Sequence, residues 1–259
     1  MAMERTYRLS DLWSSCDYTP TGERLAPIGR VLADRVAQLV DSGAAVADIG
    51  AGHGQLAQLL RDHGLQVTAV EPSPRLFEEG RERVADGVSW RHATAEKTGL
   101  EAASQDAIVS SFGIMYAAPP PAMKEMARIL RRGGVFLMTA WAAHGFVYDE
   151  NHAMLSLLPD MRGATHLHWG KPGWALPMLR EQFGSVEAQE LTIPWEFDSV
   201  EDGMRLCFHG SPQHFGWLRL AGDRGDEFVD IVRAHLRSHE VSDGRVVAEA
   251  TYVLYTARL

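Results

Sequence analysis

VADIGAGHGQLAQLL, residues 46–60, and QVTAVEPS, residues 66–73, are the two neighbouring segments that decide the fold. In the first segment an apolar run passes the acid Asp48 and enters a turn with glycine at every second position. These glycines are Gly50, Gly52 and Gly54. The residues after the turn carry apolar side chains at helical spacing, and the second segment is an apolar run that ends at Glu71. A strand, a glycine-rich turn, a helix and a second strand are therefore predicted, with one acid close to the end of each strand.

The same alternation of strand-like and helix-period segments continues along the chain. Helices are predicted over 25–40, 55–64, 74–84 and 120–134, the last closed by Gly133 and Gly134. Strands are predicted over 46–50, 66–71, the first part of 87–95, 106–112 and 135–141. Five strands joined by helical crossovers predict a parallel, doubly wound α/β sheet. Ligands of such sheets bind beyond the carboxyl ends of the strands, where the glycine turn and Glu71 are expected.

Length, charge and cysteine content limit the classes of function. The 259 residues suit one enlarged α/β domain or a core with an added cap. A formal net charge of -9 gives no general attraction to nucleic acid or anionic lipid, so neither nucleic acid nor a membrane is an expected partner. The opening residues lack the apolar core of a signal peptide, which predicts a cytoplasmic protein. Cys16 and Cys207 are far apart and form no CxxC pair, so neither a disulfide framework nor a zinc site is predicted.

The spacing of the glycines and acids points to one class of ligand. The glycine turn lets the backbone approach a ligand closely, and Glu71 is placed to accept hydrogen bonds from two ribose hydroxyls, which indicates an adenosine group. A dinucleotide site would need a third glycine at the position of Gln55. Asp48, two residues before Gly50, would repel a pyrophosphate but can engage an ammonium group. Adenosine at one end and a zwitterionic methionine at the other describe S-adenosylmethionine, with S-adenosylhomocysteine as the product.

Several motifs in series resemble those of the class I S-adenosylmethionine-dependent methyltransferases. The stretch 46–60 resembles the first motif of that family, and AVEPS, 69–73, resembles the second. HATAEKTGL, 92–100, resembles the segment that borders the adenine, with Thr94 in place of the usual aspartate. The stretch 110–141 resembles a block found in quinone-biosynthesis-type methyltransferases and their small-molecule relatives. The resemblance implies cofactor-binding roles for Asp48, Gly50, Gly52, Gly54, Glu71, Pro72, Thr94, Ala95, Glu96, Ser111 and Phe112.

The resemblance also implies how the chain is divided. It predicts a Rossmann-like sheet of seven strands with an antiparallel last strand, the sixth strand over 185–197 and the seventh over 247–259. The expected divisions are an N-terminal helical segment and lid (1–44), a cofactor-binding core (45–145), and the rest of the core (146–259) with lid insertions near 146–172 and 200–222. In this family such a lid covers the methyl group and selects the acceptor.

The lid segments are rich in tryptophan and histidine, which is typical of a pocket for a small organic acceptor. The (N/D)PP(Y/F) motif of nucleic-acid amine methylation is missing, since Ala118 precedes the prolines. His144 follows the fifth strand and is the first candidate for a general base, before the lid histidines and His214. The alternating pair within His166-Leu-His168 lacks a third recognisable ligand, so no metal is predicted. The residues expected to line the acceptor pocket are Trp13, Tyr18, Tyr116, His166, His168 and His209.

Two other functions fit the same sheet. One is an NAD(P)-dependent oxidoreductase, against which Gln55 and Asp48 argue. The other is an S-adenosylmethionine-binding protein that catalyses a reaction other than methylation, which Thr94 keeps open. The sequence predicts no oligomeric state. It favours a methyltransferase acting on a small organic molecule, with secondary or quinone-like metabolism as the candidate setting.

Overall fold

The computed structural model of the protein describes residues 12–158 and 165–259, which form one seven-stranded mixed sheet with helices on its faces. The order of the strands across the sheet is β3-β2-β1-β4-β5-β7-β6. The first five strands are parallel, and β7 runs antiparallel between β5 and β6. The Rossmann-like fold with an antiparallel last strand is thereby confirmed. The strands are β1 Ala45–Ile49, β2 Gln66–Glu71, β3 Val88–His92, β4 Gln105–Ser111, β5 Leu130–Trp141, β6 Ser185–Phe197 and β7 Val246–Arg258.

The helices fall into two groups, one flanking the sheet and one forming a cap. The helices of the first group are α1 Thr19–Leu39, α2 Gln55–Asp62, α3 Pro74–Arg83, α4 Pro119–Ile129 and α6 Pro172–Arg180. The helices of the cap are α5 Phe146–Leu155, α7 Val200–Arg205, α8 Pro212–Ala221 and α9 Gly225–Arg237, with a π-helical turn over Leu206–Gly210 between α7 and α8. None of the helices in the described part of the chain has both the length and the apolar character needed to cross a bilayer.

Two of the predicted helices differ from the structure by more than two residues at one end. The helix predicted over 25–40 begins at Thr19, because Pro20 lies in its first turn, where a missing backbone N–H is tolerated. The helix predicted over 120–134 ends at Ile129. Leu130 is already extended and pairs with Gln105, so Gly133 lies inside β5 rather than at the end of a helix. The side chain of Leu130 is buried where the strand begins.

The cap is built around α9. The apolar face of this helix, Phe228, Val232 and Leu236, is fully buried, and α5, α7 and α8 pack on it. The predicted lid insertions near 146–172 and 200–222 correspond to α5 and to the segment from α7 to α8, while α9 adds an element that the sequence did not indicate as cap. Residues 1–11 and 159–164, which belong to the predicted N-terminal segment and to the first insertion, lie outside the described residues.

Backbone contact between the ends of β1 and β4 explains Gly50. A Cβ atom on Gly50 would lie 2.7 Å from the Cα of Gly113, and the φ angle of Gly50 is +71°. The first glycine of the turn is therefore required by the packing of two strand ends as well as by any ligand. Gly54 is likewise required by packing, since a Cβ there would lie 2.9 Å from the ring of Trp90.

This contact predicts a large loss of stability on Gly50→Ala. The left-handed backbone alone costs about 1–2 kcal/mol for a residue with a side chain, and the overlap with Gly113 adds to it, so we expect a loss of about 3 kcal/mol or more. Gly43→Ala is the matched control, because Gly43 has a φ of +80° with no atom within 4 Å of its added Cβ. Urea denaturation of both variants measures the difference. Equal losses in the two variants would show that the contact with Gly113 does not contribute to the free energy of unfolding.

Candidate active site

A cavity of about 310 Å³ lies at the carboxyl ends of the central strands. It is lined on one side by residues of the glycine turn and the strand ends, and on the other by residues of the cap. Nine of the predicted cofactor-binding residues line it: Gly50, Gly52, Glu71, Pro72, Thr94, Ala95, Glu96, Ser111 and Phe112. Asp48 lines a smaller adjoining cavity of about 50 Å³. Gly54 lines neither cavity and instead precedes the first residue of α2.

Glu71, at the end of β2, is held by two backbone hydrogen bonds. The N–H of Gly52 donates to Oε2 and the N–H of Ser73 donates to Oε1, each at 2.8 Å. A carboxylate oxygen has two lone pairs, so each oxygen retains one for a further donor. Burial raises the pKa of this carboxyl to about 7, although the two backbone donors act in the opposite direction. The side chain can therefore fix the glycine turn and still accept hydrogen bonds from a pair of hydroxyls.

Asp48, in β1, is buried with one oxygen unpaired. Its Oδ2 atom has no hydrogen-bond partner among the described residues. Burial, followed by the charge of Glu71, raises the pKa of this carboxyl to about 8, against a hydrogen bond from the backbone of Ala57. The neighbouring His53 lines the same small cavity, and burial lowers its pKa to about 4, so this imidazole is neutral. An ammonium group in this cavity would meet the unpaired Oδ2 atom of Asp48.

Phe112 has an unusual backbone at the wall of the main cavity. Its φ angle is +56°, in the left-handed region that costs energy for a residue with a side chain. Its N–H donates to the hydroxyl of Thr139 at 3.1 Å, and its ring stacks on Trp141 at 4.3 Å between centroids. Local strain of this kind is typical of functional sites, because the surrounding structure must hold it in place.

An aromatic cluster covers part of the cavity. Trp13 contacts Tyr18 and Tyr116 edge to face, with ring centroids 5.6 and 5.0 Å apart. All three line the cavity. His166 stacks on Tyr116 at 4.9 Å without lining the cavity, and burial, followed by His168, lowers its pKa to about 4. His166 therefore acts as a neutral ring that supports Tyr116.

The other predicted histidines lie away from the cavity. His144 is exposed and its Nε2 lies 3.2 Å from Oε2 of Glu190 on β6, so its placement does not support the role of general base. His168 packs edge to face on Trp174, and His209 lies in the π-helical turn. Neither lines the cavity. His144 follows the end of β5 in the sequence, but its side chain lies against Glu190 of β6 and not in the cavity.

The structure adds two polar residues of the cap, Asn151 and Gln213, that sequence reasoning missed and that continue from Tyr116 as a hydrogen-bonded row. The hydroxyl of Tyr116 donates to Oε1 of Gln213 at 3.0 Å, and Nε2 of Gln213 donates to Oδ1 of Asn151 at 2.6 Å. All three line the cavity. Asn151 lies on α5 and Gln213 on α8, and these helices are adjacent only in the folded cap.

A second polar group of the cap, beside this row, contains Glu150, Cys207 and His214. Nε2 of His214 lies 3.1 Å from Oε2 of Glu150, and its Nδ1 lies 2.8 Å from the hydroxyl of Ser211. Burial lowers the pKa of His214. The neighbouring Cys207 and Glu150 raise it by more than burial lowers it, so the pKa lies well above the ordinary value. Ser211-Pro212 at a helix start was the available sequence signal for this group, since a serine N-cap orients the residue three positions on.

Comparisons with known proteins point to a methyltransferase domain. Residues 47–138 match the family model of a methyltransferase domain. The chain is 28% identical over 204 residues to an uncharacterised protein of Mycobacterium tuberculosis, covering 76% of this chain and 74% of the relative. It is also 35% identical over 97 residues to the ubiquinone/menaquinone biosynthesis C-methyltransferase UbiE of Rubrivivax gelatinosus, covering 37% of this chain and 39% of that protein.

A solved structure extends the likeness beyond the matched segment. It is that of an Anabaena variabilis protein described as a methyltransferase from an antibiotic biosynthesis pathway. This structure superposes with a TM-score of 0.64 at 20% identity, over 88% of this chain and 96% of the other. At this identity the likeness demonstrates a shared fold. Together with the matched segment, it identifies what the chain contains: a methyltransferase domain over residues 47–138, within a chain that has the Rossmann-like methyltransferase fold.

Proposed function

We propose that the protein binds S-adenosylmethionine at the ends of β1, β2 and β4 and transfers its methyl group to a small organic acceptor held against the cap. One observation carries the proposal: a single cavity of about 310 Å³ is lined both by the family's cofactor motifs and by an aromatic and polar wall from the cap. A cavity of this size and mixed lining suits small molecules. The net charge of -9 favours such an acceptor over a nucleic acid.

The proposed placement of the cofactor follows from the free hydrogen-bonding capacity of the two acids. The remaining lone pairs of Glu71 accept the two ribose hydroxyls, and the unpaired oxygen of Asp48 faces the ammonium of the methionine part. The adenine lies beside Thr94 and Ala95, where a backbone N–H is available for the ring. This arrangement gives the charged end of the cofactor an opposite charge and the ribose a bidentate acceptor.

The proposed acceptor is flat and mainly apolar, such as a phenol, a quinone-like ring or a heteroaromatic amine. Trp13, Tyr116 and Trp141 offer ring surfaces along the cavity. Gln213 and Asn151 supply an amide pair that can orient one polar group of the acceptor. The likeness to a ubiquinone/menaquinone C-methyltransferase over 97 residues supports a quinone-like candidate.

The proposed reaction is an in-line displacement. A lone pair or carbanion of the acceptor attacks the methyl carbon, the bond between that carbon and the sulfonium breaks, and the electron pair stays on sulfur as the thioether of S-adenosylhomocysteine. The sulfonium is already activated by its charge, so the chain contributes mainly by holding the two reactants in line and excluding water. The aromatic cluster around Tyr116 and the strained turn at Phe112 are the elements that would do so.

The test begins with calorimetric titration of the protein with S-adenosylmethionine, S-adenosylhomocysteine and NADH. Incubation with methyl-labelled cofactor and a panel of phenols, quinols and heteroaromatic amines follows, with mass spectrometry of the products. Micromolar cofactor binding and labelled acceptor together with S-adenosylhomocysteine are expected. Binding of NADH instead would favour the oxidoreductase, and methylthioadenosine as the product would favour a reaction other than methylation.

Gln213→Ala is expected to weaken binding of the acceptor and to leave binding of the cofactor unchanged. The variant removes both hydrogen bonds of the Gln213 amide, so the KM for a polar acceptor should rise about 10-fold, which corresponds to the loss of one or two hydrogen bonds. The dissociation constant for S-adenosylmethionine should stay within about twofold of the wild type, because Gln213 lies on the cap. A variant that loses cofactor affinity but keeps its KM for the acceptor would contradict this division.

A further inference from the structure

Three buried side chains of the cap converge on one point of the cavity wall. They are Glu150 of α5, Cys207 of the π-helical turn and His214 of α8. Their exposed fractions are 5%, 5% and 9%, and all three line the main cavity. The stated role of the cavity in methyl transfer uses none of them. A carboxylate and an imidazole buried together need an explanation, because taking both groups out of water is costly even when they pair with each other.

The distances among the three groups suit a shared metal ion. Each residue offers one ligand atom, and these three atoms all lie within 4.8 Å of one another. The observed separations are 3.1 Å from His214 Nε2 to Glu150 Oε2 and 3.9 Å from Cys207 Sγ to Glu150 Oε1. Zinc binds imidazole and carboxylate at about 2.0–2.2 Å and thiolate at about 2.3 Å, which places tetrahedral ligand atoms roughly 3–4 Å apart.

The orientation of His214 agrees with such a role. Its Nδ1 lies 2.8 Å from the hydroxyl of Ser211, which also caps the start of α8. With Nδ1–H donating to this hydroxyl, Nε2 faces Glu150 and Cys207, and a bound metal ion would take the place of the proton on Nε2. A second hydrogen bond of this kind is the usual device that fixes the ring and the tautomer of a metal-binding histidine.

The ligand types also select the metal. A thiolate, an imidazole and a carboxylate form a mixed set that zinc accepts, whereas magnesium and calcium prefer oxygen ligands alone. Three protein ligands are the number found in catalytic zinc sites, where a fourth position is left for water or substrate. Because all three residues line the cavity, that fourth position is reachable from the space assigned to the acceptor.

We propose that Glu150, Cys207 and His214 form a zinc-type divalent metal site whose open position binds the heteroatom of the methyl acceptor. Metal binding depends only on this chain, whereas the role toward the acceptor rests on the proposed methyl transfer. When a hydroxyl or thiol of the acceptor binds there, its proton leaves to solvent and its lone pair is presented to the methyl carbon. The bond from carbon to the sulfonium then breaks as the new bond forms, and the charge of the metal is unchanged.

The first experiment measures metal binding by the full chain. The protein is stripped with a chelator, dialysed and titrated with Zn²⁺ against a chromophoric zinc indicator, and Co²⁺ is added separately to record the thiolate-to-cobalt absorption band. One ion per chain is expected. Loss of a residue that only supports a metal ligand lowers metal affinity by roughly 10- to 100-fold. Cys207→Ser and His214→Gln remove a ligand itself, so each should lower the affinity for zinc by at least that much. Cys207→Ser should also abolish the thiolate band.

Matched controls come from the same residue types elsewhere. Cys16→Ser and His144→Gln should bind zinc like the wild type, since Cys16 lines neither cavity and His144 is exposed. Circular dichroism of every variant shows that the fold is retained. Absence of stoichiometric zinc in the wild type, or unchanged affinity in both Cys207→Ser and His214→Gln, would overturn the site and leave a buried ion pair between His214 and Glu150.

A second measurement separates this inference from the proposed function. Calorimetry with S-adenosylmethionine and the rate of methyl transfer are compared for the stripped and the zinc-loaded protein. Cofactor binding that is equal in both forms, with transfer at least about 10-fold faster in the loaded form, supports the role toward the acceptor. Equal transfer rates overturn that role. Zinc binding without any cofactor binding supports the metal site and instead overturns the methyl transfer.

Discussion

Replacement of Glu71 by glutamine should weaken S-adenosylmethionine binding by about 100-fold or more. A hydrogen bond to a charged group is worth roughly 1.5–3 kcal/mol, and the proposed site loses the charge that accepts both ribose hydroxyls. The glutamine amide also brings an NH₂ group against the N–H of Gly52 or Ser73, which now donate to the two carboxylate oxygens. The effect is therefore expected on the ribose and on the glycine turn together.

Calorimetric titration with S-adenosylmethionine and S-adenosylhomocysteine measures this loss. Glu82→Gln, an exposed acid on the neighbouring helix α3, is the matched control and should bind like the wild type. Thermal unfolding of the cofactor-free variant shows whether the turn has lost stability. Retained micromolar affinity in Glu71→Gln would remove Glu71 from the ribose site.

Replacement of Asp48 by asparagine should stabilise the cofactor-free protein at alkaline pH and weaken cofactor binding. Burial raises the pKa of this carboxyl from its ordinary 3.8 to about 8. Between these values the folded protein holds a proton that the unfolded chain has released. The contribution of Asp48 to the free energy of unfolding is therefore complete below about pH 4 and is lost as the pH rises through about 8. Asparagine does not titrate, so near pH 8 the variant should gain a few kcal/mol.

Thermal unfolding at about pH 5 and pH 8, with and without S-adenosylhomocysteine, tests both parts of this prediction. The stability of the variant relative to the wild type should increase from the lower to the higher pH. The rise in Tm caused by the ligand should be smaller in Asp48→Asn, because the ammonium of the ligand loses its counter-charge. Asp41→Asn, an exposed control, should show neither effect. A pH-independent difference would mean that Asp48 does not titrate in this range.

Local sequence pattern predicted the half of the cavity that is built from strand ends. Parallel strands joined by helices place Glu71 and Ser111 at one edge of the sheet wherever the crossovers run in the usual direction. These positions therefore follow from the order of elements alone. The contact of Gly50 with Gly113 could not be predicted, because it joins two backbone segments that are 63 positions apart in the sequence.

Sequence periodicity could not predict the half of the cavity that the cap forms. His214 and Glu150 are 64 positions apart, and their contact depends on how α5 and α8 pack on α9. The short helix α7 continues through a π-helical turn, which has no apolar period to detect. His144 illustrates the same limit, since a residue near the end of β5 can face the cavity or, as here, β6 and solvent. Side-chain direction in such loops is set by tertiary packing rather than by position in the chain.

The double hydrogen bond from Gly52 and Ser73 to Glu71 has a consequence for the kinetics of association. These bonds form within the protein alone, so the glycine turn is already preorganised before a ligand arrives. The conformational entropy of ordering the turn is then lost during folding and need not be lost again at the encounter. Ligands that share the ribose should therefore enter at similar rates and differ mainly in residence time, which makes dissociation the step through which the site discriminates among them.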